Sequence, residues 1–138
     1  MKLERIVVAV DGSDNSLAAV RWTAGLAAAT GAEVVAVHAT GLLDQLQGGD
    51  DEIGRRLAST WCEPLESAGI PLRAVVRDGH PVAVVLAVAD EEDVDLIVLG
   101  SRGIGAYPEQ LLGSTSTQVA QRSDRPVTIV PLAVRVPT

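Results

Sequence analysis

A chain of 138 residues has the length of about one domain, and 47% hydrophobic with 21% charged residues is the composition of a globular protein with a core of its own. A formal net charge of −7 argues against nucleic acid, because phosphate backbones are bound by clustered cations. Trp22, Trp61 and Tyr107 are the only aromatic residues, which leaves no stacking platform for single strands and a core to be built from Val, Leu, Ile and Ala.

Ile6-Val7-Val8-Ala9-Val10 is a β-branched run that ends at Asp11-Gly12-Ser13, and together they read as strand, turn and helix start. Ser13 or Asp14 caps a helix running to about Thr30, with Leu17, Val20, Ala24 and Ala27 on one face and Gly31 at the C′ position. Glu33 to Ala39 is the second strand. Thr40 to Asp51, with Gly41, Gly48, Gly49 and three aspartates, reads as a loop. Ile53, Leu57, Trp61 and Leu65 recur every fourth residue as a helical stripe, and Pro64 inside it kinks or restarts the helix.

Leu72 to Arg77 is the third strand, and Asp78-Gly79-His80-Pro81 is a turn with Pro81 suited to the first helical position. The helix that follows points Val82, Val85, Leu86 and Ala89 inward and ends near Asp90 to Asp93. Leu96 to Leu99 is strand four, Gly113 to Arg122 a helix, and Val127 to Val130 strand five. Five strands alternating with four helices predict an open parallel α/β sheet with helices on both faces, in one domain over residues 1–138. In such sheets a ligand sits beyond the carboxyl ends of the strands, where Asp11, His38, Asp78 and Gly100 are expected to gather.

Cys62 is the only cysteine, so no intramolecular disulfide forms and a reducing compartment is expected. No apolar stretch approaches the ~18 residues of a membrane span, and no leader pattern opens the chain, so the expectation is a cytoplasmic protein without membrane contact.

The chemistry concentrates after strand four. Gly100-Ser101-Arg102-Gly103 follows Asp95-Leu96-Ile97-Val98-Leu99, and nine residues separate Gly103 from Gly113-Ser114-Thr115-Ser116. Glycines between a strand and a helix let backbone N–H groups approach a ligand, and a helix opened at Gly113 offers an anion site. Lys2 is the only lysine, which removes a Walker-type loop. Two histidines and one cysteine, widely spaced, give no metal-ligand cluster, and Gly-x-Ser-x-Gly is absent, so no catalytic or metal-binding residue is assigned. Asp11 can accept from a ribose, help hold a metal, or cap the following helix.

Gly100-x2-Gly103-x9-Gly113-Ser114 resembles the nucleotide loop of the ATP-binding class of universal stress proteins. Val8-Ala9-Val10-Asp11-Gly12-Ser13, Val37-His38 and Arg125-Pro126-Val127-Thr128-Ile129-Val130-Pro131 resemble the same family's N-terminal strand and turn, the end of its second strand and its final strand. The resemblance implies a Rossmann-like, adenine-nucleotide α-hydrolase-like sheet. It implies that Ala9, Val10 and Asp11 line the adenine and ribose side with Val37 against the base, and that Leu99 and Gly100 support the nucleoside. Arg102 and Gly103 would lie along the phosphates, which Gly113, Ser114, Thr115 and Ser116 would hold, with magnesium on the phosphate oxygens. A homodimer paired through Val127 to Leu132 is likewise implied. Tyr107-Pro108-Glu109 departs from the family's loop, stiffening it and adding a negative charge.

These features point to an ATP-binding regulator of a stress response rather than a fast catalyst. A weak ATPase or nucleotide-dependent transferase is one alternative, although the His-x-Gly-His and Ser-Gly-Gly-x-Asp-Ser signatures of such relatives are missing. A dimeric interaction module with an empty pocket is the other.

Overall fold

The structure is a computed structural model and describes residues 2–41, 46, 48–102 and 112–135. Five strands form one sheet: β1 (Arg5–Ala9), β2 (Glu33–Thr40), β3 (Leu72–Asp78), β4 (Leu96–Gly100) and β5 (Val127–Val130). All neighbours are parallel, in the order β3-β2-β1-β4-β5. The chain winds outward from β1 to β3, then returns to the other side of β1, so the strand order switches between β1 and β4. In a doubly wound sheet that switch is where a ligand crevice is expected.

Parallel strands covered on both faces require apolar residues at consecutive positions, and β1 satisfies this with Ile6, Val7 and Val8 all fully buried. The alternation of side chains then sorts them into two cores. Ile6, Val8, Ala36, Val98 and Val130 face α1 (Asp14–Thr30), α2 (Gly49–Ala58) and α3 (Glu63–Ser67). Val7, Val35, Val37, Ile97 and Leu99 face α4 (Pro81–Glu91) and α5 (Ser114–Arg122).

Ser13 caps α1 by accepting from the Ser16 N–H at 3.2 Å, and Gly31 ends it at φ 78°. The buried face of α1 is broader than the predicted stripe: Ala18, Ala19 and Thr23 are buried with Val20, Ala24 and Ala27, while Leu17 is only half-buried. Small side chains let the helix lie close to the strands. On α4, Val84 and Val88 join Val82, Val85 and Ala89 in the core, and Leu86 is half-buried instead of facing inward. His80 caps α4 with its Nδ1 accepting from the Val82 N–H, and Pro81 takes the first turn.

The fourth-residue stripe from Ile53 to Leu65 is not one helix. The chain breaks after Ala58 and restarts at Glu63, with Pro64 in the first turn of α3, where a missing N–H costs no hydrogen bond. Ile53, Leu57 and Leu65 are buried, but Trp61 falls in the turn between the helices. The segment read as a loop to Asp51 turns helical at Gly49. β5 ends at Val130, so Pro131 and the exposed Leu132 lie beyond the strand.

Candidate functional site

The β1–α1 turn is built from local hydrogen bonds. Asp11 donates its N–H to Ser16 Oγ at 3.2 Å and accepts from the Ser13 N–H through Oδ1 at 2.9 Å. This is an Asx turn, in which the side chain mimics a backbone turn and delivers the chain to the helix cap. Gly12 sits at φ +83°, and a Cβ added there would lie 2.8 Å from the Trp61 ring. Trp61 meets the buried His38 edge to face at a centroid distance of 5.2 Å, and His38 Nδ1 lies 2.7 Å from the Val10 carbonyl. A carbonyl only accepts, so that nitrogen carries the proton.

Across the crevice, β4 comes against the first turn of α1. A Cβ at Gly100 would stand 2.7 Å from the Asn15 carbonyl oxygen, and only glycine permits that approach. Ser101 then donates its hydroxyl to Asn15 Oδ1 at 3.0 Å. Its carbonyl accepts from the Gly113 N–H at 2.7 Å and from the Ser116 hydroxyl at 3.1 Å. The helix start at Gly113 is thereby fastened to the end of β4.

Gly113 is the N-cap of α5, with extended backbone and no side-chain cap. The first bond of the helix is Thr117 N–H to the Gly113 carbonyl at 3.1 Å. By helix geometry, the N–H groups of Ser114, Thr115 and Ser116 have no partner within the helix. They supply the donors and the positive end of the dipole that an anion needs. Ser114 is exposed and Thr115 half-buried at this end. Ser116 is buried, and its hydroxyl donates to the Gly113 and Ser101 carbonyls.

The other residues read from the sequence divide by face. Ala9, Asp11, Gly100 and Arg102 are half-buried around the strand ends. Val10 is buried and extends the β1–β2 ladder through its N–H to the Val37 carbonyl at 2.9 Å. Val37 and Leu99 belong to the second core, 1% and 3% exposed, so their side chains pack within the face covered by α4 and α5. Gly103 and the departure at Tyr107, Pro108 and Glu109 lie outside the described residues. His38 lies within β2 instead of following it, and Asp78 closes β3, where it accepts from the Thr40 hydroxyl at 3.5 Å.

Asn15 and Trp61 are site-shaping residues that sequence reasoning passed over. Asn15 carries no motif signal, and Trp61 looked like one more position of a helical stripe. Cys62 is fully buried, and burial first, then the Glu66 charge, pushes its thiol up to about 12. Such a thiol is inert as a nucleophile at neutral pH. Among the described residues no group of three or more His, Cys, Asp or Glu is placed to hold a metal ion, and no helix is long and apolar enough to cross a membrane.

A switched parallel sheet, with a glycine-opened helix at the carboxyl end of its fourth strand, defines a Rossmann-like binding fold. The sequence model of the Universal stress protein family matches residues 2–131, and the chain belongs to that family. Universal stress protein YxiE of Bacillus subtilis (strain 168) is 33% identical over 91% of this chain and 97% of its own length. A universal stress protein of Thermus aquaticus is also 33% identical, over 91% of this chain and 96% of its own. The crystal structure of a universal stress protein in complex with cAMP superposes with a TM-score of 0.75 at 29% identity, covering 96% of this chain and 100% of that one. The fold is also that of protein MJ0577 of Methanocaldococcus jannaschii, with a TM-score of 0.83 at 23% identity over 95% of this chain and 97% of that one.

Proposed function

We propose that this protein is a single-domain universal stress protein that binds ATP or a related adenine nucleotide at the β1–β4 crevice and acts as a nucleotide-dependent regulator. The observation that carries this reading is the fastening of the α5 N-terminus to the end of β4, through Gly113 N–H to the Ser101 carbonyl at 2.7 Å. That bond fixes where α5 starts, and the N–H groups of Ser114, Thr115 and Ser116, which have no partner within the helix, are the donors we assign to the phosphates. The cAMP complex of a relative at 29% identity supports an adenine nucleotide as the occupant.

In this reading the nucleoside lies over Ala9, Val10 and Asp11 and beside Val37, Leu99 and Gly100. The phosphates run past Arg102 and Gly103 to Gly113, Ser114 and Thr115. Ser116 contributes its N–H, since its hydroxyl serves the loop. Magnesium would enter with a triphosphate on the phosphate oxygens, which suits an ion that keeps several waters and few protein ligands.

With Lys2 as the only lysine, no Walker-type lysine serves the phosphates, and ATP is read as a bound signal with hydrolysis slow at most. A buried, unreactive Cys62 fits a reducing, cytoplasmic setting. The β5 edge is proposed as the seat of a homodimer.

Titration calorimetry of the purified protein with ATP, AMP and cAMP in the presence of magnesium tests the reading. One site per chain with micromolar or tighter affinity for at least one of them is expected. Affinities no better than those for inorganic phosphate would reject it.

A further inference from the structure

Every polar group of Ser101 is committed to a different element. Its N–H donates to the Val130 carbonyl at 2.9 Å, carrying the β4–β5 ladder one step past the Gly100–Val130 register. Its hydroxyl reaches Asn15 Oδ1 in the first turn of α1 at 3.0 Å. Its carbonyl takes both the Gly113 N–H and the Ser116 hydroxyl, at 2.7 and 3.1 Å. The residue is 8% exposed, so these bonds are shielded from water and directional.

We infer that Ser101 is the positioning residue for the phosphate end of the site, acting through Gly113 and not by touching the ligand. The inference rests on the nucleotide reading above. Gly113 is the cap from which α5 starts, so the orientation of the Ser101 carbonyl sets where the first N–H groups of α5, which have no partner within the helix, point. That orientation is held by the hydroxyl on Asn15, on a helix whose buried face is locked into the first core. Gly100 is what lets the two meet, since a side chain there would push Asn15 away. A binding constellation works only when its donors are held to within about 0.5 Å, and the Ser101–Asn15 bond supplies that support.

Adenosine and tripolyphosphate separate the two ends of the nucleotide. In Ser101→Ala, calorimetry is expected to show tripolyphosphate and ATP weakened about fivefold to twentyfold, as for loss of one supporting hydrogen bond, with adenosine within about twofold of wild type. Asn15→Ala, half-buried and in a different element, should lose as much, and the double variant no more than either alone. In the protein without ligand, hydrogen exchange at the Gly113 amide should speed up in both single variants. Equal weakening of adenosine and tripolyphosphate, or additive losses in the double variant, would overturn the positioning role. A wild-type chain that takes neither adenosine nor ATP overturns the nucleotide reading alone; unchanged Gly113 exchange in the variants overturns this inference alone.

Discussion

Gly12 shows how one residue links the turn, the core and the crevice. Its φ of +83° disfavours any side chain, and the Trp61 ring occupies the space a Cβ would need. Gly12→Ala is therefore expected to destabilise the protein by about 2 kcal/mol in urea unfolding. In a Trp61→Ala background only the backbone strain remains, so the same change should cost about 1 kcal/mol; an equal cost in both backgrounds would refute the contact. The turn itself was legible in Asp11-Gly12-Ser13, because its chemistry is local. The tryptophan over it was not, since nothing in the sequence near residue 61 specifies a contact with residue 12. The same distinction separates Gly113, marked by spacing, from Asn15, which is defined only by the strand that comes to rest beside it.

At the scale of elements, strands and their order follow from apolar runs too short for helices and from alternation with helical segments. The misreadings fall where the periodicity continues but the backbone does not. Leu57 and Leu65 keep helical spacing across a break, because both face the same core while the chain restarts at Glu63 with Pro64 in the first turn. Val84 and Val88 are buried because α4 lies against both the sheet and α5, a wider face than one stripe. The N-terminal ends of β1 and β4 are clipped by Asp95, whose Oδ2 accepts from the Glu4 and Arg5 N–H groups at 2.8 and 3.0 Å. Those two bonds hold its carboxyl below the ordinary 3.8. The native state thus binds fewer protons there than the unfolded chain, so the stabilisation is present above about pH 4 and is lost as pH falls through the native value. Thermal unfolding of Asp95→Asn should show a lower midpoint than wild type at pH 6, with the gap closing as pH falls below the ordinary carboxylate range. A gap that stays constant across this range would mean that the ionised carboxylate is not what clips the strands.

Across the whole molecule, the two edges of the sheet differ. On β3, Arg73 and Arg77 pair with Glu92 and Glu91 at the end of α4, and charges of this kind discourage strand addition. On β5, Val127, Thr128 and Ile129 are half-buried with no charge among them. Pairing of two β5 edges across a two-fold axis is the proposed assembly. Light scattering during size exclusion should give twice the chain mass for wild type and the chain mass for Ile129→Lys; a monomeric wild type would contradict it. The open parallel architecture could be read from sequence because alternating strands and helices follow a few connection rules, whereas the strand order β3-β2-β1-β4-β5 came only from the structure. The central claim, an adenine nucleotide with its phosphates at the α5 N-terminus, is tested most directly by titrating ATP into wild type and Ser114→Asp. Ser114 is exposed at the first position of α5, where aspartate favours the helix while repelling a phosphate. The account predicts unchanged or slightly higher thermal stability with ATP affinity reduced at least about tenfold. Equal ATP affinity in the two proteins would contradict it.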